Sequence, residues 1–271
     1  MTRLRRSLVV LAAAAASIGV ACLDVSSPIS GITSISRIIA PTPSVVEGDT
    51  LRDTTGAASR LRVLVFGSKG TPVQDAVIRY FVIDSTHKLH VDSVTGLLWG
   101  DSLSPNAAVF ARVMPASGKG SLDTPIDTIP VVPTPLSATR DTNFVFAFDP
   151  TASDSNSASL ISAPFGLTVK GNADTPVQKY LVGFKLVYSP PARAGDVGPT
   201  LVLISALSTN DSTYAITDAQ GHAAVRLRIR LHALSGLTDS AVVAMQVRYK
   251  DTLLPILGSD TIVISIQPKL P

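Results

Sequence analysis

Cysteine, aromatic residues and charged residues are all scarce in this chain. Among 271 residues there is one cysteine, Cys22, so no intrachain disulfide can form. Aromatic residues make up 5% of the sequence and charged residues 16%. A core must therefore be built mainly from Val, Ile, Leu and Ala, which suits short β-strands. The 19 prolines and 18 glycines favour many turns and argue against long helices.

Motifs that carry catalysis are also missing. The sequence has no G-x-S-x-G nucleophile elbow and no Gly-rich phosphate loop. Its histidines are His87, His90, His222 and His232. If His87 and His90 lay in one strand, their rings would point to opposite faces, because strand side chains alternate with a period of two. That is poor geometry for a metal. We therefore predict that the chain is not an enzyme and has no catalytic residue, cofactor or metal site.

Calcium is the alternative that the loop carboxylates leave open. Five aspartates fall in predicted loops: Asp149, Asp154, Asp211, Asp218 and Asp239. Loop carboxylates can supply the oxygen ligands that Ca²⁺ prefers. No EF-hand spacing is present, however, and Asp favours turns for reasons of backbone hydrogen bonding alone. We expect these residues to stabilise turns.

The net charge of +3 comes entirely from the first residues. Arg3, Arg5 and Arg6 supply it, and residues 1–21 contain no acid. Without that segment the chain has 20 basic and 20 acidic residues. A basic surface of the kind that binds nucleic acid is therefore not expected, and nucleic acid is excluded as a partner.

The N-terminus has the pattern of an export signal. A basic start, MTRLRR, precedes the apolar run SLVVLAAAAASIGVA, which ends in small residues. The run is shorter than the ~20 apolar residues that a membrane-spanning helix needs. Residues 1–21 are therefore predicted to be a signal peptide. The Ser-, Gly- and Ile-rich residues 22–34 are predicted to be a tether.

Cys22 directly follows the small residues Gly19, Val20 and Ala21. This arrangement resembles a bacterial lipobox, in which the cysteine thiol receives a diacylglyceryl group and becomes the new N-terminus. The family prefers a branched aliphatic residue where this chain has Gly19. Leu23 follows the cysteine, and the resemblance then implies export and lipid anchoring to the outer membrane or cell surface, with its periplasmic face also open. Cys22 is the predicted lipidation site.

The main part of the chain contains an internal repeat. The tetrapeptide TPVQ occupies both 71–74 and 175–178, between apolar strand patterns. Two further similarities follow in the same order: 107–113 resembles 223–229, and the Asp-Thr strand near 144–148 resembles that near 262–266. Three similarities in one order indicate duplication.

Each repeat has about seven short strand candidates with turn signals between them, which suits an immunoglobulin-like sandwich. We therefore predict an all-β fold with two tandem immunoglobulin-like β-sandwich domains after the signal segment. The first domain is predicted over 35–148 and the second over 160–271, joined by the small, polar linker 149–159. Residues 127–136 of the first repeat contain three prolines, so an edge strand or irregular segment is expected there.

The two repeats together resemble bacterial immunoglobulin-like domains of the invasin/intimin group. The second repeat carries T-D-x-x-G-x-A as Thr217 to Ala223, before alternating apolar residues. The first carries the V-x-V strand at Val63–Val65 and the turn ending in Pro72-Val73, but has Ser68-Lys69-Gly70 where the family shows Asp-x-x-Gly. The resemblance implies surface display, a stalk or adhesion, and it brings no catalytic residues.

The expected function is therefore a non-catalytic, lipid-anchored cell-envelope protein whose tandem domains serve structural spacing or adhesion. Its expected partner is the membrane, through the N-terminal lipid, while a protein or glycan ligand stays unidentified. The alternative is a carbohydrate-binding accessory module of a secreted or uptake system. That alternative needs exposed aromatic side chains, and the candidates are Trp99, Tyr180, Tyr188 and Tyr214.

A basic stripe is a further candidate surface. Arg226, Arg228 and Arg230 recur at every second position, with His232 continuing the row. Such a row could bind acidic glycans. A solvated sheet face, where charge also discourages edge pairing, explains it as well and is preferred.

Overall fold

The computed structural model describes residues 31–84, 86–115, 120–152, 157–191, 200–230 and 238–269. Within these ranges the regular structure consists of β-strands and three single 3₁₀ turns, at Ser68–Gly70, Ala158–Leu160 and Asn172–Asp174. The strands enclose two separate hydrophobic cores. The all-β fold with two tandem immunoglobulin-like sandwiches is confirmed.

The described residues of the first sandwich form eleven strands, of which most are two or three residues long. They are β1 (Ser34–Ile35), β2 (Val45–Val46), β3 (Asp49–Thr50), β4 (Val65–Phe66), β5 (Val77–Ile83), β6 (Leu89–Val91), β7 (Leu98–Gly100), β8 (Ala108–Met114), β9 (Leu122–Asp123), β10 (Asp127–Thr128) and β11 (Val131–Val132). Strand β5 pairs with β8, which also pairs with β9 and β10, while β3, β7 and β6 form a second sheet. Two small pairs, β1 with β4 and β2 with β11, complete the sandwich.

The second sandwich contains longer strands. They are β12 (Ser137–Arg140), β13 (Phe144–Phe148), β14 (Phe165–Lys170), β15 (Leu181–Tyr188), β16 (Leu201–Ile204), β17 (Thr209–Asn210), β18 (Ser212–Ile216), β19 (His222–Ile229), β20 (Asp239–Gln246), β21 (Arg248–Tyr249), β22 (Thr252–Leu253), β23 (Ile256–Leu257) and β24 (Thr261–Pro268). One sheet has the order β17-β16-β19-β14-β12-β23 and the other β13-β24-β20-β15-β18.

Alternation of side chains explains why these segments form strands. In β19 Ala223, Val225, Leu227 and Ile229 are buried, and in β24 Ile262, Ile264 and Ile266 are fully buried. The intervening residues of both strands face outward. Each strand thus contributes one apolar face to the core, as a period of two requires.

The TPVQ repeat corresponds to the same turn in both sandwiches. In the first, the Gly67 N–H donates to Thr71 O at 2.7 Å, and in the second the Gly171 N–H donates to Thr175 O at 2.8 Å. Each turn contains a 3₁₀ segment with two consecutive residues at positive φ, Lys69 and Gly70 in the first and Ala173 and Asp174 in the second. This part of the predicted duplication is confirmed by equivalent hydrogen bonds.

The last strand predicted for the first domain belongs to the second sandwich. Strand β13 pairs in parallel with β24, with Phe144 opposite Ile264 and Phe146 opposite Ile266. Strand β12 pairs with β14, and Phe146 and Phe148 lie in the second core. These pairings correct the predicted limit of 35–148: β12 and β13 are the opening strands of the second sandwich, in the position that β1 and β2 hold in the first.

The described part of the predicted linker 149–159 is not a free connection between two domains. Ala152 is buried in the second core, and so is Leu160, which directly follows the segment. The segment is therefore attached to the second sandwich at Ala152 and at its end. The boundary between the two cores lies instead at Val131 and Val132, since Val131 belongs to the first core and Val132 to the second.

The similarity between 107–113 and 223–229 likewise has another cause. Strand β8 pairs with β5, as β20 pairs with β15, so β8 corresponds to β20. Strand β19 pairs with β14. The segment of the first sandwich that is equivalent to β14 includes Arg60, which bridges to Leu97. The counterpart of β19 therefore lies at Leu97 and not in β8. Both segments alternate apolar residues because both are central strands, which is why they look alike in sequence.

The Asp218–Gly221 turn of the second sandwich has a counterpart in the first, one residue longer, at Asp92 to Gly96. The Asp92 carboxylate accepts hydrogen bonds from the N–H groups of Val94 and Thr95. The Asp218 carboxylate accepts from those of Gln220 and His222. In each sandwich the glycine carbonyl then accepts from the strand before the TPVQ turn.

Candidate functional site

The predicted lipidation site, Cys22, lies outside the described residues, as do the signal peptide 1–21 and most of the tether 22–34. No helix in the described ranges is long and apolar enough to cross a membrane.

The candidate site that the structure adds is a cleft between the two sandwiches, with a volume of about 130 Å³. One wall is formed by residues of the 42–56 segment of the first sandwich. The other wall is the outward face of β15, β18 and the end of β20 in the second sandwich. We call this space the junction cleft.

The first wall is held by a partly buried ion pair. Arg52 donates two hydrogen bonds to the Asp49 carboxylate, at 2.7 and 2.9 Å, and a third to the Gly56 carbonyl at 2.7 Å. The hydrogen bond to Asp49 raises the pKa of Arg52 above its usual value. Asp49 is only 9% exposed. A bidentate pair of this kind fixes the guanidinium plane in one orientation.

The opposite wall contains a row of three cross-strand neighbours. Gly183 of β15 lies opposite Tyr214 of β18 and Gln246 of β20. Val182 and Phe184 point into the core, so Gly183 faces the cleft. Because Gly183 has no side chain, it leaves a gap between two larger neighbours.

Tyr180 closes one end of the cleft. Its hydroxyl donates to the Arg248 carbonyl at 2.5 Å, and burial raises its pKa. The phenol is therefore a structural hydrogen-bond donor, neutral at physiological pH.

Of the four aromatic candidates named from the sequence, two line the junction cleft and two lie elsewhere. Tyr180 and Tyr214 both line the junction cleft. Trp99 stacks on His90, with ring centroids 5.2 Å apart, and Tyr188 lies at the end of β15. Sequence reasoning missed Arg52, Gly183 and Gln246, and no local signal marks them, because the cleft joins segments far apart in the chain.

The histidines occupy separate positions. His87 lies in a turn at positive φ, where the alternation assumed for a strand does not apply. His90 contacts Asp101 at 2.8 Å, and His222 contacts Asp141 at 3.1 Å. Within the described residues no group of three or more His, Cys, Asp or Glu side chains is placed to hold a metal.

Two of the described aspartates accept hydrogen bonds within turns: Asp149 from Thr151, and Asp218 from Gln220 and His222. Asp239, predicted in a loop, is the first residue of β20, where its carboxylate accepts from the Ser240 N–H. Asp154 lies outside the described residues. Capping interactions of this kind stabilise turns without a ligand.

The predicted basic stripe lies on the outward face of β19. Arg226 is opposite Ile204 and Arg228 is opposite Val202, both in β16. Arg226 is exposed, whereas Arg228 and Arg230 are partly buried, and His232 lies outside the described residues. The stripe is therefore mostly covered and is a weaker candidate surface than the junction cleft.

No protein-family model and no curated protein matches the chain. Among solved structures, the adhesin InvE of Yersinia pseudotuberculosis is 15% identical, with a TM-score of 0.30, covering 90% of this chain and 62% of that one. Drosophila N-cadherin EC1-4 is 11% identical, with a TM-score of 0.26 and coverage of 87% and 50%. This chain thus spans less than two thirds of either structure, and these distant likenesses carry no conclusion about function.

Proposed function

We propose that this chain is a non-catalytic, exported cell-envelope protein, anchored by a lipid on Cys22, in which two immunoglobulin-like sandwiches form a firmly joined spacer or adhesive unit. The observation that carries the proposal is the construction of the junction. Strands β2 and β11 pair in parallel, with Val45 opposite Val131 and Val46 opposite Val132. The first valine of each strand packs in the first core and the second in the second core.

Further contacts reinforce this junction. The Ser44 hydroxyl donates to the Lys179 carbonyl at 2.8 Å, and the Glu47 N–H donates to the Val132 carbonyl at 2.9 Å. Gly56 packs so closely on Lys250 that a Cβ there would lie 1.9 Å from the Lys250 carbonyl oxygen. Domains that share core residues and backbone hydrogen bonds keep a defined orientation, unlike domains joined by a free linker. That property suits a spacer that holds a surface away from a membrane.

The anchor is tested by the intact mass of the protein extracted from membranes. We expect a mass corresponding to residues 22–271 plus a diacylglyceryl or triacyl group. Cys22→Ala should abolish the modification and release the protein from the membrane fraction, whereas Ser27→Ala in the same predicted tether should change neither. An unmodified mass, or membrane association that survives Cys22→Ala, would contradict the lipid anchor.

The spacer role is tested separately by exposure. Protease added to intact cells should digest both sandwiches if they are displayed at the cell surface. If they face the periplasm, digestion should require permeabilised cells. Recovery of the protein in the cytosolic fraction would contradict export altogether.

A further inference from the structure

We propose that the junction cleft is a binding site for a saccharide, with one sugar ring seated over Gly183 against the ring of Tyr214. This goes beyond the proposed spacer role, which requires no ligand. At about 130 Å³ the cleft is small compared with most ligand pockets, so it would receive one ring of a longer saccharide and not a large ligand.

The floor of the cleft is shaped by a missing side chain. A Cβ built on Gly183 would lie 3.4 Å from Cε1 of Tyr214 and 3.8 Å from Cβ of Gln246, both ordinary contacts. The fold would therefore accept a larger residue here, and strands generally disfavour glycine. Glycine leaves the side of the Tyr214 ring open to the cleft, and Tyr214 is 38% exposed.

The polar side chains of the two walls differ in whether they already have hydrogen-bond partners within the protein. On the first wall, Arg52 is bound to Asp49 and Gly56, the Thr42 hydroxyl donates to the Arg52 carbonyl, and the Ser44 hydroxyl donates across the junction. On the second wall, the side chains of Lys185, Tyr214 and Gln246 are exposed and make no hydrogen bond to any described part of the chain. The second wall therefore offers an amide, a phenol and an ammonium group to a ligand.

This combination selects a class of ligand. An apolar ligand would cover Gln246 and Lys185 without giving them hydrogen-bond partners, which costs free energy. A small anion would need convergent positive charge. Arg52 is neutralised by Asp49 within the first wall, and the Asp53 carboxylate lines the cleft together with Lys185 and Arg248, which leaves little net positive charge. A sugar presents an apolar C–H face to an aromatic ring and hydroxyl groups to amide and ammonium side chains. The cleft matches that pattern.

Because the walls belong to different sandwiches, a bound sugar would contact both. A ligand that binds only the docked arrangement stabilises it by mass action. Binding should therefore protect the junction as well as occupy the cleft.

The test uses the full chain and isothermal titration with three defined probes: cellotetraose, chitotetraose and tetragalacturonic acid. We expect saturable binding of at least one probe. Tyr214→Ala should weaken that binding at least tenfold. Tyr188→Ala removes a similarly exposed tyrosine that does not line the cleft, and should leave binding unchanged.

Gly183→Ala is a second variant, chosen because it should change binding without disturbing the fold. The added methyl group has room, so the variant should melt at the same temperature as the parent or higher, yet it should weaken binding by filling the floor. Absence of binding by all three probes would overturn the proposal. So would equal losses in the Tyr214 and Tyr188 variants, or full affinity in Gly183→Ala. None of these outcomes bears on the Cys22 anchor, whose test is the mass of the mature protein.

Discussion

The two sandwiches have one plan but differ in how much strand each contains. In the second sandwich β15, β19, β20 and β24 are eight residues long, whereas β5 and β8, at seven residues, are the longest described strands of the first. The final strands show the cause. Strand β24 has eight residues, while its counterpart in the first sandwich is divided into β10 and β11, of two residues each, with Pro130 before β11 and Pro133 after it. Proline lacks the N–H that a ladder needs, so the first sandwich cannot extend this strand.

The difference extends to the cores. The first core is made of aliphatic residues and Tyr80, whereas the second also buries Phe146, Phe148, Phe165 and Phe184. Aromatic side chains bury more area than aliphatic ones and stabilise a core accordingly. The second core also receives Val46 from the first sandwich. We therefore infer that the second sandwich is the more stable unit and that the first depends on it.

The largest expected effect comes from placing a charge in each core in turn. Val225 and Val109 are both fully buried in central strands. Val225→Asp should cost more than about 4 kcal/mol, because it buries an unpaired carboxylate. It should unfold the second sandwich and destabilise the first. Val109→Asp should unfold the first sandwich and leave the second folded, as measured by thermal melting and circular dichroism.

Val187→Asp is the matched control, since Val187 is 59% exposed and should tolerate the charge. The comparison fails if Val109→Asp abolishes both transitions while Val225→Asp abolishes one. An unchanged melting curve for Val225→Asp would show that the assigned facing of β19 is wrong.

A smaller effect is expected at the junction. Gly56 has φ +90° and a Cβ there would overlap the Lys250 carbonyl, so Gly56→Ala should force the two sandwiches apart locally. Overpacking of this kind costs about 1–3 kcal/mol. We expect faster amide exchange around Arg248 and Lys250 and a larger radius of gyration by small-angle scattering.

Gly48→Ala is the control that separates the cost of a positive φ from the cost of a steric clash across the junction. Gly48 also has positive φ, +69°, but a Cβ there would have nothing within 4 Å. It should cost about 1 kcal/mol, from backbone strain alone, and leave the exchange around Lys250 unchanged. If both variants behave alike, Gly56 has no special role at the junction.

The smallest effect concerns pH and the first sandwich alone. The Thr86 hydroxyl, with the backbone N–H groups of Thr86, Lys88 and Leu89, lowers the pKa of Asp84 well below its usual range. A depressed folded-state pKa contributes stability above the unfolded value near 4, and this is lost as the pH falls through the folded pKa. Asp84 is partly exposed, so solvent screening should keep the effect below about 1 kcal/mol.

Asp84→Asn should therefore make the first transition less sensitive to acid between about pH 4 and pH 2. Melting temperatures measured across that range give the readout. Asp75→Asn, in another exposed loop of the same sandwich, is the control. Equal pH profiles for the parent and Asp84→Asn would contradict the stabilising role of this turn.

Local patterns in the sequence predicted the strands well, but not their partners. The alternation in 223–229 and the TPVQ turns was sufficient to predict strands, a duplication and an all-β fold. Residues 144–148 were matched with 262–266 because both follow Asp-Thr and alternate apolar residues. In the structure these two strands lie side by side in one sheet, since strand pairing depends on contacts that a period of two does not encode.

The junction cleft shows a second limit. It combines Arg52, Gly183 and Gln246, which are separated by more than a hundred residues of chain or lie in different strands, and none belongs to a motif. Contacts between the sandwiches bring the two walls together, among them the Ser44–Lys179 hydrogen bond and the burial of Val46 in the second core. The candidate aromatic residues could be named from the sequence, but which of them share a site could not.

Native-state hydrogen exchange of the full chain, followed amide by amide, tests the central claim most directly. Two sandwiches of unequal strength that share core residues predict the slowest exchange in β14, β19, β20 and β24. They predict faster exchange in β5 and β8, with the Val45 and Glu47 amides at the junction protected to at least the level of the first sandwich. Junction amides that exchange at the rate of an open loop would contradict the account, because the two sandwiches would then be independent domains on a free linker.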